Sequence, residues 1–174
     1  MTAAVQPDPA AGPDRESVLH RYRAVRGRTE SLTGHLTAED QTVQSMTEAS
    51  PTKWHRGHTT WFFEAFILTV HAAARDWYAA HDDAFFYLFN SYYVLQGERH
   101  PRPIRGLVTR PGIAEVALYR AHVDHAMARL IADCPAEHWA EVAGLIELGL
   151  NHEEQHQELI VADLLHAFSF NITD

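Results

Sequence analysis

Cysteine is almost absent from this chain of 174 residues, in which Cys134 is the only one. A single cysteine cannot form an intrachain disulfide, so nothing indicates an oxidising compartment. The sequence also lacks an apolar run long enough to span a membrane. Positive charge is scarce, since the formal net charge is -9, and a nucleic-acid surface needs a concentrated basic face. These absences predict a soluble, cytoplasmic protein that binds neither membranes nor nucleic acids.

The residues that are present predict one folded domain after a short leader. A hydrophobic content of 46% and an aromatic content of 10% exclude general disorder, and the length suits a single domain. Residues 1–14 contain three prolines and no basic-then-apolar pattern, so we predict a disordered leader rather than a signal peptide. We therefore expect the domain to occupy residues 15–174.

Apolar residues recur at helical spacing in four long segments. The predicted helices run from Arg15 to about Leu36, from Ser50-Pro51 to about Ala74, from Ile113 to about Ala132, and from Pro135 to between Phe168 and Asn171. Ser50 is expected to cap the second helix, with Pro51 in its first turn. No segment has a convincing strand pattern. The sequence predicts an all-α fold, an up-and-down four-helix bundle.

A pair of histidines interrupts the apolar stripe of the last helix. His152 and His156 are four residues apart, which places both rings on one face of a helix. The stripe consists of Val142, Leu145, Gly149, His152, His156, Leu159 and Asp163. A buried imidazole needs either a hydrogen-bond partner or a metal, and an inward pair at this spacing favours a metal.

His58 is the expected third ligand because it lies among large apolar residues of the second helix. By itself His58 would be read as a core histidine bonded to a backbone carbonyl. His55 is expected to point elsewhere, and His122 and His125 to lie at the surface or at its boundary with the core. Three imidazoles leave open metal positions, as in catalytic sites, and suit zinc, iron, copper or nickel.

Residues 152–156 also match the H-E-x-x-H pattern of zinc metalloproteases, in which Glu153 would be the general base. We reject this interpretation for three reasons. Leu159 and Ala162 occupy the positions where the extended motif requires glycine and a third histidine. Few residues follow His156, and no edge strand is evident that would hold an extended peptide.

Four arginines lie in a segment rich in proline and glycine between the second and third long helices. They are Arg99, Arg102, Arg105 and Arg110. Guanidinium groups on a rigid loop can clamp carboxylates through paired hydrogen bonds. A solvated loop that offsets the acidic surface is an equally good interpretation.

Several segments of the chain resemble the N-terminal DinB-like domain of ergothioneine-biosynthesis sulfoxide synthases, and of the closely related selenoneine synthases. The resemblance is carried by residues 39–46, by residues 50–64 (SPTKWHRGHTTWFFE), by residues 89–93 and 99–103, and by the HEEQH motif at 152–156. It covers nearly the whole chain after the leader, and residues 50–64 are its most specific part.

The resemblance implies a non-haem iron(II) bound by His58, His152 and His156. Members of that family use O2 to join hercynine to a thiol, γ-glutamylcysteine or cysteine, and form a sulfoxide; selenoneine synthases use a selenosugar. By the same resemblance, Gln155 would contact the imidazole substrate, and Arg102 and Arg105 would bind the carboxylate of the thiol.

Family members also carry a C-terminal formylglycine-generating-enzyme-like domain, which completes the pocket and supplies a tyrosine to the chemistry. This chain ends at Asp174, near the point where that domain is expected to begin. We therefore expect an excised domain, a subunit whose partner domain acts in trans, or a protein with another role. The alternatives are a stand-alone metal-dependent thiol transferase of the DinB superfamily and a non-catalytic helical docking domain.

Overall fold

The fold is all-helical, as predicted. The computed structural model describes residues 12–72, 77–91 and 98–172, and these residues contain no strand. The helices are α1 (Arg15–Thr33), α2 (Thr52–Phe63), a π-helix (Glu64–Ala72), α3 (Asp83–Leu88), a 3-10 helix (Arg102–Leu107), α4 (Ile113–Asp133) and α5 (Ala136–Phe168). No helix within these residues is long and apolar enough to cross a membrane.

The first helix begins after an aspartate cap. The Asp14 side chain accepts a hydrogen bond from the Ser17 backbone N–H, which satisfies one of the free donors of the first turn. Just before this cap, the Pro13 carbonyl accepts a hydrogen bond from Trp139 Nε1 on α5, at 2.6 Å. Most of the leader predicted over residues 1–14 lies outside the described residues, which begin at residue 12.

The second helix starts differently from the prediction. Pro51 occupies the N-cap position and no side chain caps the helix, so the predicted capping role of Ser50 is wrong. Ser50 instead connects distant segments, because its backbone N–H donates to Asp163 and its hydroxyl accepts from Arg105. The α-helix ends at Phe63 and continues as a π-helix, a form that is rare and often accompanies functional sites.

The long helices bury their apolar faces against one another. Both α1 and α2 pack on α4 and α5, and the π-helix continues these contacts with α4 and α5. The largest fully buried side chains include Tyr22, Trp61, Phe63, Tyr119, Met127, Ile146 and Leu150. Gly149 permits the close approach of α5, because a Cβ there would lie 2.6 Å from Phe63 Cε1. This packing fixes α2 against the histidine-bearing turn of α5.

Candidate metal centre

Three predicted ligands meet between α2 and α5. His58 projects from α2 and His152 and His156 from successive turns of α5, and their potential ligand atoms all lie within 4.8 Å of one another. The ring centroid of His58 lies 4.9 Å from that of His152 and 4.7 Å from that of His156. The interhelical packing thus forms one cluster from positions almost a hundred residues apart. Such a cluster could hold a metal ion.

The hydrogen bonds of the rings fit a metal site. His58 Nδ1 lies 2.6 Å from the Phe89 carbonyl, which can only accept, so Nδ1 carries the proton and Nε2 is free to bind a metal. His152 Nδ1 is buried and has no hydrogen-bond partner among the residues that the structure describes. A buried polar atom without a partner is costly, and a metal bound at the ring would offset that cost. The three histidines therefore fit a metal ion that is bound by three nitrogen atoms.

Aromatic rings enclose the cluster and limit the access of water. Trp54 stacks on His58 with the ring centroids 4.5 Å apart, and Trp61 stacks on the same histidine at 5.5 Å. Phe62 lies against His152, with 4.7 Å between the centroids. These apolar walls hold the imidazoles in place and lower the local dielectric constant.

This burial keeps the three imidazoles neutral. Desolvation is the main cause that lowers the pKa of His58, and the neighbouring His152 lowers it further. Burial lowers the pKa of His152 to about 4, and burial together with His58 lowers the pKa of His156. Neutral rings are the form that binds metals, so these histidines would not have to lose protons to bind one near neutral pH.

His55 contradicts the expectation that it points away from the site. It is buried, and its Nδ1 lies 2.8 Å from Nδ1 of His156. Its other ring nitrogen, Nε2, lies 3.1 Å from Asp163 Oδ2. The expectation failed because residues three apart share a helix face, so His55 and His58 both face α5. The spacing of His55 and His58, together with the position of Asp163 in the predicted stripe of α5, could have indicated from the sequence that His55 faces the site.

Glu153 does not face the histidine cluster. It is fully buried and accepts hydrogen bonds from Arg26 Nη1, Thr29 Oγ1 and Arg120 Nη2 at 2.9, 2.6 and 3.0 Å. Although desolvation opposes ionisation, the two arginines lower the pKa of Glu153 to about 2. A carboxylate held in this way is a poor proton acceptor, which agrees with the rejection of the metalloprotease motif.

The predicted substrate residues occupy two different environments. Gln155 is exposed on α5, next to His156. Arg105 is buried, where its guanidinium lies 3.3 Å from the centroid of the Trp54 ring and donates to Ser50 Oγ at 2.9 Å. Arg102 is half-buried. A cavity of about 440 Å³ is lined by Ser91, Arg99, His100, Pro101, Arg102, Pro103 and Arg105, whereas Arg110 is not among its lining residues.

Comparison with known proteins identifies the family of this chain. A search of curated proteins found no match. The profile described as "DinB superfamily" matches residues 21–160, a range that includes His58, His152 and His156. Domains of this superfamily typically bind metals, and some are metal-dependent enzymes. Since the match covers most of the sequence, the chain belongs to the DinB superfamily.

Proposed function

We propose that this chain is the metal-binding domain of an iron(II)- and O2-dependent sulfoxide synthase that joins hercynine to a thiol. The observation that carries the proposal is the cluster of three neutral imidazoles between α2 and α5. Three protein ligands leave positions for substrates, which a four-ligand structural site would not. The similarity of residues 50–64 to the sulfoxide synthases supports iron over the other metals that suit imidazole.

The overall reaction balances with O2 as the oxidant. The imidazole C–H bond of hercynine and the S–H bond of the thiol break, and a C–S bond forms. One oxygen atom goes to sulfur, giving the sulfoxide, and the other leaves as water. Bound iron would supply the site at which O2 and the thiolate come together. The residues of this chain would hold the substrates in position and exclude bulk water.

The arginine-lined cavity supports a substrate with a carboxylate. Arg102 and Arg105 both line it, and Arg105 stacks on Trp54, which in turn stacks on His58. Guanidinium groups bind carboxylates in paired hydrogen bonds, so the carboxylate of γ-glutamylcysteine or cysteine would lie on this side of the site. Gln155, exposed beside His156, would contact the imidazole substrate.

Further parts of the proposal concern the surroundings of this domain. We propose that the four longest helical units form an up-and-down bundle. We also propose that a formylglycine-generating-enzyme-like domain, in cis or in trans, is the partner that completes the pocket. A cytoplasmic location belongs to the same proposal. A selenium donor in place of the thiol would use the same residues.

Metal binding is tested first by anaerobic iron(II) titration of the chain. We expect one equivalent of iron, which His58→Ala, His152→Ala and His156→Ala should each abolish or weaken strongly. His125→Ala is the matched control, because this histidine is exposed on α4. Full iron stoichiometry with unchanged affinity in the three cluster variants would refute the site.

Activity is tested by oxygen uptake with hercynine and γ-glutamylcysteine, with and without a candidate C-terminal domain. Oxygen uptake and sulfoxide formation that require the second domain would support the proposal. Iron binding followed by oxygen-independent consumption of the thiol would favour a DinB-superfamily thiol transferase. Absence of metal binding would favour a helical docking domain.

A further inference from the structure

Two side chains outside the ligand set connect His156 to a carboxylate. Asp163 lies on α5, two turns beyond His156, while His55 lies on α2, one turn before His58. The contacts form a continuous line, with Asp163 Oδ2 3.1 Å from His55 Nε2 and His55 Nδ1 2.8 Å from His156 Nδ1. Because His55 is 2% exposed, water has little access to this line.

The order of donors along this line is fixed by Asp163. Its Oδ2 also accepts a hydrogen bond from the Ser50 backbone N–H at 2.9 Å, and two donors on one oxygen favour the ionised carboxylate. An ionised carboxylate only accepts, so His55 must donate from Nε2. A neutral His55 then presents an unprotonated Nδ1, and the short contact requires His156 to donate from its own Nδ1. His156 Nε2 is left with a free lone pair.

We propose that Asp163 and His55 are positioning residues that lock His156 in the tautomer whose Nε2 binds the metal. The neutral side chain of a free histidine prefers a proton on Nε2, so this pair would reverse the intrinsic preference of His156. The Phe89 carbonyl has the same effect on His58, because it accepts a hydrogen bond from Nδ1–H of that ring. The consequence for metal affinity rests on the proposed function, but the tautomer is a property of the metal-free protein.

Histidine tautomers are measured directly by long-range ¹H–¹⁵N NMR of the labelled, metal-free protein at pH 7.5. Single substitutions assign the rings among the 13 histidines. We expect His156 to be protonated at Nδ1 and unprotonated at Nε2, and His55 to be protonated at Nε2. A His156 ring protonated at Nε2 would overturn the proposal, whether or not the protein binds metal.

The contacts from Asp163 through His55 to His156, here called the relay, are then broken at Asp163, whose side chain is less buried than that of His55. Asp163→Ala should shift His156 toward the Nε2-protonated tautomer and weaken zinc(II) binding, measured by competition with a chelator, by about 10- to 100-fold, with one equivalent retained. Asp163→Asn should recover much of the tautomer and the affinity. The Ser50 N–H and the His55 ring, which both donate to Oδ2 in the wild type, would orient the asparagine amide so that its oxygen occupies the position of Oδ2.

His166→Ala is the matched control. His166 lies on the same helix, and its Nδ1 contacts Ser45 Oγ rather than the relay, so its replacement should leave the tautomer and the zinc Kd unchanged. An Asp163→Ala protein with wild-type tautomer and zinc Kd would overturn the proposal. The proposal would also be overturned if His55→Gln failed to bind one equivalent of zinc while circular dichroism showed that its fold was retained, because His55 would then be a ligand. If a variant fails to fold, the tautomers of the wild-type protein still decide.

Discussion

Replacing Glu153 with glutamine should destabilise the fold while leaving the proposed metal ligands in place. The carboxylate is fully buried, and Arg26 and Arg120 each lie within 3.0 Å of one of its oxygens. The amide in Glu153→Gln has no charge and turns one acceptor into a donor facing a guanidinium. The variant would therefore leave two buried positive charges without the one partner that is itself fully buried.

The remaining ion pairs set the magnitude of this effect. Removing one partner of a buried pair costs about 3–5 kcal/mol. Arg26 keeps Asp124, at 2.7 Å, and Arg120 keeps Glu30, at 2.7 Å, but both acids are more than a third exposed and compensate only in part. We expect the lower end of the range, about 3 kcal/mol, which for this chain length lowers Tm by roughly 10 °C.

Urea and thermal unfolding of the metal-free proteins measure this loss, and zinc titration of the folded variant measures its stoichiometry. Glu154→Gln is the control, because the next residue is exposed and lies 3.7 Å from the exposed Arg21. It should change the free energy of unfolding by less than about 0.5 kcal/mol. A Glu153→Gln protein as stable as the Glu154→Gln protein would refute the structural role that we assign to this carboxylate.

Two further perturbations test the packing and the burial of the site. Gly149→Ala should lower the free energy of unfolding in urea by about 1–3 kcal/mol, because its Cβ would meet the Phe63 ring. At Gly144 an added Cβ would meet no described atom within 4 Å outside its own helix, so Gly144→Ala should raise that free energy by up to about 1 kcal/mol. Equal effects of the two substitutions would contradict the close approach of α5. Burial lowers the pKa of His152 from 6.5 to about 4, so the unfolded chain binds more protons between these values. The stability of the metal-free protein should therefore fall as the pH drops from 6.5 toward 4, and a stability independent of pH in that window would contradict it.

Helical spacing predicted the long helices closely because each has a continuous apolar stripe. The predicted third helix, Ile113 to about Ala132, corresponds to α4 (Ile113–Asp133), and Val116, Val123, Met127 and Leu130 are all buried. The second helix was predicted as one α-helix, but from Glu64 it is a π-helix. An apolar pattern does not distinguish the two, because the difference comes from the hydrogen-bond register of the backbone rather than from side-chain burial.

The polar interior was the part that spacing did not reveal. Arg26, Arg120 and Glu153 are buried in ion pairs, with Glu153 bonded to both arginines, and each residue comes from a different helix. A sequence pattern presents such residues as charged positions, which are normally assigned to solvent. Only the three-dimensional packing shows that the charges are complementary.

The same limit explains why His55 and His58 could not be told apart by burial alone. Both are buried on α2, at 2% exposure, and both face α5. Their roles differ through their partners: a backbone carbonyl holds Nδ1 of His58, whereas His55 bridges Asp163 and His156. An imidazole with both nitrogens in hydrogen bonds has no lone pair left for a metal, while an imidazole with one nitrogen so engaged has its other nitrogen available. The number of hydrogen bonds at each ring, and not its burial, therefore separates the proposed ligand His58 from His55, which we propose orients His156.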